Sequence, residues 1–340
     1  MVTTVPHDDD LDEVGTREPT MTLPRWRRFV GTQPASFTLM SDQQWTGLDD
    51  LARDSYDDSR ISYHSEMVII ATSLVRQVAR QGQLLTLLNR RETGARRMLI
   101  LSGLQTTGKT TALKQLGRTH ELRLRKKYPE RSADRIPVVY VSAPPKGSPR
   151  KLAAEFARFL CLPPIKQSYN TNDVTDAVCE ILIRSRIELV LVDEIHNLNL
   201  ATTAGEDMSD HLKYFNEHLP ATFVYAGIDV PQKLSGVRGA QILGRSVVIS
   251  TAPIPYGEEW HAMIATLEDS LRLHRHKPGT LQRNARYLHQ RTGGMIGSLS
   301  HLIRGSAQVA ILEGQEAITR KLMDTVPVDY IAESDGGSES

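Results

Sequence analysis

The motif GLQTTGKT, Gly103–Thr110, constrains the fold of this chain more than any other feature, because it requires a strand before it and a helix after it. Its glycines allow backbone N–H groups to surround a phosphate chain, and the N-terminus of the following helix adds a favourable dipole. The apolar run Arg97–Ser102 predicts the strand, and Thr110–Leu116 predicts the start of the helix. A simple turn rich in glycine and threonine would need neither neighbour. The sequence therefore predicts a site that binds the phosphates of a nucleotide.

The residues of this motif have distinct predicted roles. Lys109 is expected to place its charge on the β- and γ-phosphates, and the Thr110 hydroxyl is expected to ligate Mg²⁺. The residues expected to contact the nucleotide are Gly103, Leu104, Gln105, Thr106, Thr107, Gly108, Lys109, Thr110 and Thr111.

A pair of acids follows in the segment ELVLVDEIHNL, Glu188–Leu198. An apolar run leads directly into Asp193 and Glu194, as a buried strand does when it ends at a phosphate site. Asp193 is expected to hold Mg²⁺ through water, and Glu194 to position and activate the attacking water. Taken alone, the pair could be a surface turn. After a phosphate-binding motif, it predicts hydrolysis rather than phosphate transfer to a small molecule.

Strand and helix patterns alternate after the first motif, which predicts an α/β fold with a parallel sheet covered by helices on both faces. The predicted strands are Ile136–Ser142, Ile187–Val192, Thr222–Ala226 and Val247–Ser250, and the predicted helices are Ser148–Leu160, Asn172–Arg184 and Asp207–His218. Only helical patterns follow, at Glu258–Leu273, Leu281–Arg291, Ser298–Glu313 and Thr319–Thr325. A small all-helical lid domain is therefore expected, joined to the sheet through a hinge at Thr251–Gly257.

The expected organisation is a flexible arm over residues 1–40, a helical segment over 41–92 that packs on the core, the core over 93–253, the lid over 254–328 and a disordered tail over 329–340. A helix is predicted to begin at Ser41, with Gln44 in capping-box register. A longer helix is predicted from Ser65 to Asn89, and Met67, Ile70, Leu74 and Val78 would share its apolar face. The stretch LPRWRRFV, Leu23–Val30, either clamps a partner or packs as a strap on the core.

Charge and composition exclude several classes of protein. The formal net charge is +1, so binding to nucleic acid or membrane would have to come from local patches. Cys161 and Cys179 lack the spacing of a metal or redox motif, which indicates free thiols in a reducing compartment. The acidic N-terminus has no apolar segment of the signal-peptide type, and the apolar runs are too short to cross a bilayer. We expect a cytoplasmic protein that does not bind membranes.

Two further positions are candidates for the chemistry. Asp229, in VYAGID, could contact the γ-phosphate or the attacking water, although a structural loop aspartate is an equal alternative. Arg245, in RGAQILGRSVVI, precedes the predicted fifth strand and would point toward the γ-phosphate on a neighbouring subunit, with Arg238 as the second choice. A surface arginine is the alternative. His274 and His276 lack partners at ligand spacing and are interpreted as residues of a polar helix.

Taken together, these motifs resemble the TniB/TnsC/MuB group of AAA+ ATPases that serve DDE transposases. The resemblance covers roughly residues 94–325 and rests on the phosphate motif, DEIHNL, AGID, GAQILGR and RTGGMIGSLSHLIRGSAQVAI. The tract LRLHRHKPGTL is similar to the actinobacterial branch. The chain departs from the family where Ser246 replaces an aromatic residue after Arg245. It departs again in the lid, where Gly294 and Gly297 stand in place of an arginine.

This resemblance implies an AAA+ fold that binds ATP and Mg²⁺, with Gly294 near the adenine. It implies a homo-oligomer, as a ring or helical filament on duplex DNA, that selects the target and recruits a DDE transposase. By the same resemblance, the loop APPKGSPRK faces the DNA, and Lys146, Arg150 and Lys151 are the candidates for contacting phosphates without reading sequence; a merely solvated loop is the alternative. The basic run Arg118–Arg135 is interpreted as a solvated helix end. Two alternatives remain, an initiator-type helicase loader and a DNA-independent NTPase switch in signalling or defence.

Overall fold

Five parallel strands form the centre of the described part of the chain in a computed structural model. They are β1 Met98–Gly103, β2 Val138–Ser142, β3 Leu189–Asp193, β4 Thr222–Gly227 and β5 Ser246–Thr251, in the order β2-β3-β4-β1-β5. The structure describes residues 22–66, 68–131, 133–164, 169–198, 203–234 and 236–328, except for the side chains of 203–207, 237 and 238. Because all strands are parallel, the phosphate motif after β1 and Asp193 at the end of β3 lie at the same edge.

Helices cover both faces of this sheet, as predicted. The core helices are α4 Ser73–Asn89, α5 Lys109–Lys127, α6 Pro149–Phe159, α7 Thr171–Arg184, α8 Thr203–His218, α9 Val230–Lys233 and α10 Val237–Gly244. Helices α4 and α5 pack together on one face, and α6, α7 and α8 pack on the other. Side-chain caps fix several helix starts; Ser148, for example, accepts a hydrogen bond from the Lys151 N–H. The apolar runs of β1 and β3 are fully buried, as expected for inner parallel strands.

The lid is a separate helical unit with its own apolar core. Its helices are α11 Glu258–Asp269, α12 Thr280–Arg283, α13 Ala285–Thr292, α14 Ile296–Leu312 and α15 Arg320–Thr325. The helix predicted to reach Leu273 ends earlier, because Ser270 caps α11 and donates to the Leu267 carbonyl. The helix predicted over Leu281–Arg291 is two helices separated at Asn284. None of the helices in the described residues is both long and apolar enough to span a bilayer.

The N-terminal segment contains α1 Leu23–Gly31, α2 Asp42–Thr46 and α3 Asp50–Ser65. The predicted capping box at Ser41 and Gln44 is confirmed. The long helix predicted from Ser65 to Asn89 is wrong, because α3 ends at Ser65 and α4 begins only after Thr72, whose hydroxyl accepts from the Val75 N–H. Val68 and Ile70 pack instead against the apolar core of the lid. Met67 lies outside the described residues.

The structure also changes the expected boundary of the arm. Residues 1–21 and 329–340 lie outside the described residues, so the disorder expected there stays a prediction. Residues 23–31, however, form a helix whose Trp26 and Val30 are fully buried against α5 and the sheet. The strap alternative for Leu23–Val30 therefore agrees with the structure. Residues 23–31 pack on the core because the large aromatic side chain of Trp26 is buried there.

Helix α3 packs on the lid, whereas the helical segment over 41–92 was expected to pack on the core. Arg60 is fully buried and donates to both carboxylate oxygens of Glu316, at 2.6 and 2.7 Å. Removing one partner of such a buried pair typically costs about 3–5 kcal/mol. The N-terminal segment is thus divided, with α3 on the lid and α4 on the core.

Within the described residues, three passages therefore connect the sheet domain to the lid: residues 32–41, residues 66–72 apart from Met67, and residues 252–257. In the first, the Phe37 ring packs near Tyr56 and Tyr63 of α3, and its carbonyl accepts from Arg272 of the lid.

Candidate nucleotide site

A cavity of about 380 Å³ lies between the sheet domain and the lid, at the carboxyl edge of the strands. The phosphate motif forms its floor. Two of the passages between the domains form its walls, through Ile70 and Thr72 on one side and Pro253 and Ile254 on the other. Ile296 and Gly297, at the start of α14, complete it. The cavity is thus bounded by segments that connect to both domains.

Close approach to β5 explains the first glycine of the motif. A Cβ atom at Gly103 would lie 2.0 Å from the Thr251 carbonyl oxygen, a distance that no side chain permits. The Thr107 and Thr251 hydroxyls are 2.8 Å apart and share a hydrogen bond. Gly108 has φ of +90°, in the left-handed region that glycine favours, and the loop enters α5 there. The motif is therefore fixed on the end of β5.

Lys109 carries its positive charge into this loop. Its Nζ donates to the Gly103 carbonyl at 2.8 Å and to the Leu104 carbonyl. Burial lowers the pKa of Lys109 below its ordinary value, while the carboxylates of Glu194 and Asp193 act in the opposite direction. The lysine thus lies in the field of both acids predicted for the site.

Asp193 is 2% exposed, and both of its carboxylate oxygens are held. One accepts from the Tyr140 hydroxyl at 2.9 Å, and the other accepts from the Glu194 N–H at 2.9 Å. Burial and the charge of Asp193 raise the pKa of Tyr140 well above its ordinary value, so the phenol keeps its proton and donates. The orientation of the aspartate is therefore fixed by the sheet.

Glu194 presents its carboxylate to the cavity, with 44% of the side chain exposed. Its Oε2 lies 3.2 Å from His196 Nε2. The other ring nitrogen, His196 Nδ1, accepts from the Ile228 N–H at 3.3 Å. This arrangement assigns the proton of a neutral imidazole to Nε2, which donates to Glu194. The predicted catalytic acid is therefore connected to the turn after β4.

The oxygen donors at this edge fit Mg²⁺, which prefers hard oxygen ligands and retains several waters. Thr110 lies in the first turn of α5 and lines the cavity, and the buried Asp193 is already oriented by its two donors. Among the described residues, no group of three or more His, Cys, Asp or Glu side chains could hold a metal by itself.

The lid reaches the phosphate motif directly. The Gly297 N–H donates to the Thr106 carbonyl at 3.0 Å, and a Cβ at Gly297 would be 3.1 Å from Thr106. Gly294, predicted near the adenine, instead packs on the hinge. Its carbonyl accepts from the Ile254 N–H at 2.9 Å, and its Cβ would lie 2.5 Å from the Ile254 carbonyl. Ile296 and Gly297, rather than Gly294, line the cavity, and the proximity of Gly294 to the adenine stays a prediction.

Other predicted residues lie away from the cavity. Asp229 is exposed and stands at the N-cap position of α9 in a left-handed conformation, without a side-chain capping hydrogen bond, and Ile228 rather than Asp229 lines the cavity. Arg245 lies at the amino end of β5, where its carbonyl accepts from Met98 N–H and its side chain is 3.8 Å from Glu217. The side chain of Arg238 lies outside the described residues.

The residues predicted to contact DNA share one loop and the start of α6. Lys146 and Lys151 are exposed, and Lys151 Nζ donates to the Lys146 carbonyl at 3.3 Å. The Arg150 side chain donates to the Tyr169 carbonyl. The loop lies at the carboxyl edge of β2, the same edge as the nucleotide cavity. The structure therefore brings these three residues together.

Tyr140, His196 and Thr251 are site residues that the sequence did not assign. Tyr140 meets Asp193 across the β2–β3 pair, which depends on strand register. Thr251 lies one residue beyond the predicted end of its strand. His196 lies within the DEIHNL motif, and its place in that motif was the sequence signal from which its role at the site could have been predicted.

Comparison with solved structures identifies the fold. The chain is similar to the Orc2 protein of Aeropyrum pernix in its ADP form (TM-score 0.58, 17% identity, 77% of this chain and 70% of that one). It is also similar to the Orc1 protein of the same organism in complex with DNA (0.56, 18%, 80% and 67%) and to Cdc6p from Pyrobaculum aerophilum (0.53, 18%, 79% and 71%). At these identities the likeness shows the fold alone, an AAA+ P-loop fold.

No curated protein sequence matches the chain. The family model described as bacterial TniB protein matches residues 60–234, a span that runs from α3 to the end of α9 and contains both acidic and phosphate-binding motifs. With an AAA+ fold and a match over half of its length, this chain belongs to the bacterial TniB family.

Proposed function

We propose that this protein is a cytoplasmic ATPase that assembles as a ring or helical filament on duplex DNA and regulates target selection and transposase recruitment in transposition. The observation that carries the proposal is that Lys109 and Glu194 line one cavity that the lid contacts, while the charge of Asp193 acts on Lys109 from the end of β3, in a member of the TniB family.

In this proposal the chain supplies position and charge for ATP hydrolysis. Backbone N–H groups of the motif and Lys109 bind the phosphates, while Thr110 and Asp193 hold Mg²⁺. When bound, the ion neutralises charge that develops on the β- and γ-phosphate oxygens. Glu194 orients the attacking water and accepts its proton.

The position of Arg245 supports action on a neighbouring subunit. Its carbonyl pairs with Met98 at the amino end of β1, whereas Gly103 ends that strand at the opposite edge of the sheet. At a rise of about 3.3 Å per residue, these edges are about 17 Å apart. An arginine at one edge cannot reach the phosphates at the other, so Arg245 would act on ATP bound by the next copy.

A short chain of hydrogen bonds supports coupling between ATP and DNA. The Asn197 side chain donates to the Ala143 carbonyl at 3.1 Å, and the Gly147 N–H donates to the Asn197 carbonyl at 3.3 Å. The Asn197 N–H in turn donates to the Glu194 carbonyl at 2.8 Å. The basic loop is thus tied to the turn that begins at Glu194.

Electron microscopy of the purified protein with duplex DNA and a non-hydrolysable ATP analogue tests assembly. We expect ordered rings or filaments only when both ligands are present, and none with Lys109→Ala. Nucleotide binding without DNA association would instead favour a DNA-independent switch. Assembly that never stimulates a DDE transposase would favour the initiator-type alternative.

Mixing two inactive variants tests the role of Arg245. Arg245→Ala should lose about 10³-fold or more of ATP turnover in the assembled state. Mixed with Lys109→Ala subunits, it should recover part of this activity, because an intact Lys109 site would then face an intact Arg245. No recovery in mixed assemblies would exclude action between subunits.

Alanine substitution of Lys146 and Lys151 tests the DNA loop. Each substitution should weaken binding to unrelated duplexes by a similar factor. Each should also reduce the slope of log affinity against log salt concentration by about one, because one phosphate is no longer neutralised. Lys126→Ala, at the exposed end of α5, is the control and should change neither quantity. Equal effects of all three substitutions would place the DNA elsewhere.

A further inference from the structure

The Tyr140 hydroxyl is held next to the acid that the proposed function assigns to Mg²⁺. It donates to Asp193 Oδ2 at 2.9 Å, and Tyr140 and Asp193 are only 6% and 2% exposed. The other oxygen of Asp193 accepts from the backbone of the next residue, Glu194. Tyr140 is therefore the side chain that orients Asp193 from the neighbouring strand.

The ring of Tyr140 is itself held by a residue of α1. Trp26 stacks on it with ring centroids 5.9 Å apart and planes 7° apart. Lys114, on α5, places its Nζ 5.0 Å from the centroid of the same ring. Both contacts restrict the ring position from which the hydroxyl reaches Asp193.

Trp26 packs against α5 at Gly117, where the absence of a side chain leaves space for the indole. A Cβ at Gly117 would lie 2.7 Å from Trp26 Cη2, so only glycine leaves room for the indole against α5. The indole Nε1 donates to Glu121 at 2.6 Å, and Trp26 is fully buried. Trp26 lies outside residues 60–234, the part that matches the TniB family. The packing of Trp26 therefore connects α1, which precedes the region matched by the family, to the nucleotide site.

We propose that Tyr140 is a positioning residue for Asp193, and that Trp26 acts through Tyr140 to complete the Mg²⁺-binding arrangement. This inference rests on the proposed ATPase site. It predicts that the contact between α1 and β2 sets the affinity for Mg²⁺ in the nucleotide complex, while binding of the metal-free nucleotide depends on the phosphate motif alone.

Binding of a fluorescent ADP analogue, measured in EDTA and in a Mg²⁺ titration, tests this role. Tyr140→Phe keeps the stacked ring and removes the hydroxyl. It should raise the half-saturating Mg²⁺ concentration by about tenfold, the scale typical of partners that orient metal ligands. Its affinity for the metal-free nucleotide should equal that of the unmodified protein. Tyr225→Phe is the matched control, because Tyr225 is buried in β4 and its hydroxyl has no hydrogen-bond partner among the described residues.

Trp26→Phe provides an independent second variant. It should raise the half-saturating Mg²⁺ concentration by a smaller factor, and it should add nothing in a Tyr140→Phe background if Trp26 acts through Tyr140. A folded Tyr140→Phe protein with unchanged Mg²⁺ dependence would overturn the proposal, as would an equal shift in Tyr225→Phe. If the unmodified protein binds nucleotide without any Mg²⁺ dependence, the proposed ATPase site fails as well.

Discussion

At the scale of a single residue, Glu194 has a strained backbone conformation and a side chain that contacts His196. Its φ of +54° is in the left-handed region, which costs a residue with a Cβ about 1–2 kcal/mol. That conformation directs the carboxylate to the cavity, within 3.2 Å of His196. The His196 ring also accepts a hydrogen bond from the Ile228 N–H. The imidazole therefore links the proposed general base, Glu194, to the turn after β4. The strain is consistent with a position fixed by function rather than by stability.

Glu194→Gln separates binding from hydrolysis. The amide keeps the shape of the side chain but cannot accept a proton, so ATP turnover should fall by about 10²–10⁴-fold. Nucleotide affinity should change little, because Lys109 and the motif remain. Phosphate release and equilibrium binding measure the two quantities, and rapid turnover by this variant would remove Glu194 from the role of base.

At the scale of elements, Gly117 decides how α1 docks on α5. Alanine is usually better than glycine inside a helix by about 1 kcal/mol. Here its Cβ would lie 2.7 Å both from the Trp26 ring and from Leu191 Cδ1, and the indole cannot easily move within the core. Crowding of this kind costs about 1–3 kcal/mol or more, which exceeds the gain.

We therefore expect Gly117→Ala to destabilise the protein by about 1–2 kcal/mol, measured by urea unfolding. Gly244→Ala, in α10, is the control, since nothing lies within 4 Å of its added Cβ. It should be neutral or slightly stabilising. A stabilised Gly117→Ala protein would show that Trp26 of α1 does not pack against Gly117 in solution.

The strands and the two motifs were predictable from the sequence because each is marked by a pattern of a few adjacent residues. Apolar runs mark the inner strands, and glycine spacing marks the phosphate loop. The break between α3 and α4 was not predictable, because Ile70 continues the apolar face of the expected long helix although it packs on the lid. The Arg60–Glu316 pair joins residues 256 positions apart, and no local pattern reports such a contact. The bond from Tyr140 to Asp193 likewise depends on strand register.

At the scale of the whole molecule, acidification should loosen the attachment of α3 to the lid. His64 Nε2 accepts from the Arg272 N–H at 3.2 Å, and burial lowers the His64 pKa to about 4. Its pKa in the unfolded chain is about 6.5, so the unfolded state binds more protons between these values. Stability is thus complete above about pH 6.5 and falls as the pH approaches about 4, by about 3 kcal/mol in total for this group.

Urea unfolding across this pH range measures the effect. His64→Gln can still accept from the Arg272 N–H but does not titrate, so it should flatten the pH dependence. Part of the dependence should remain, because burial also lowers the pKa of His211 to about 4. His301→Gln, on an exposed part of α14, is the control. An unchanged slope in His64→Gln would mean that His64 is solvated in the folded protein.

The three passages between the sheet domain and the lid have a topological consequence. A protease that cuts at Pro253–Tyr256 would separate α11–α15 covalently from the sheet domain. Those helices would still be held by packing on α3 and by the buried Arg60–Glu316 ion pair, and α3 would stay joined to the sheet domain through the other two passages. The fragments should co-elute on a sizing column and part only in denaturant. In such a nicked molecule the lid would still be carried by the N-terminal half of the polypeptide.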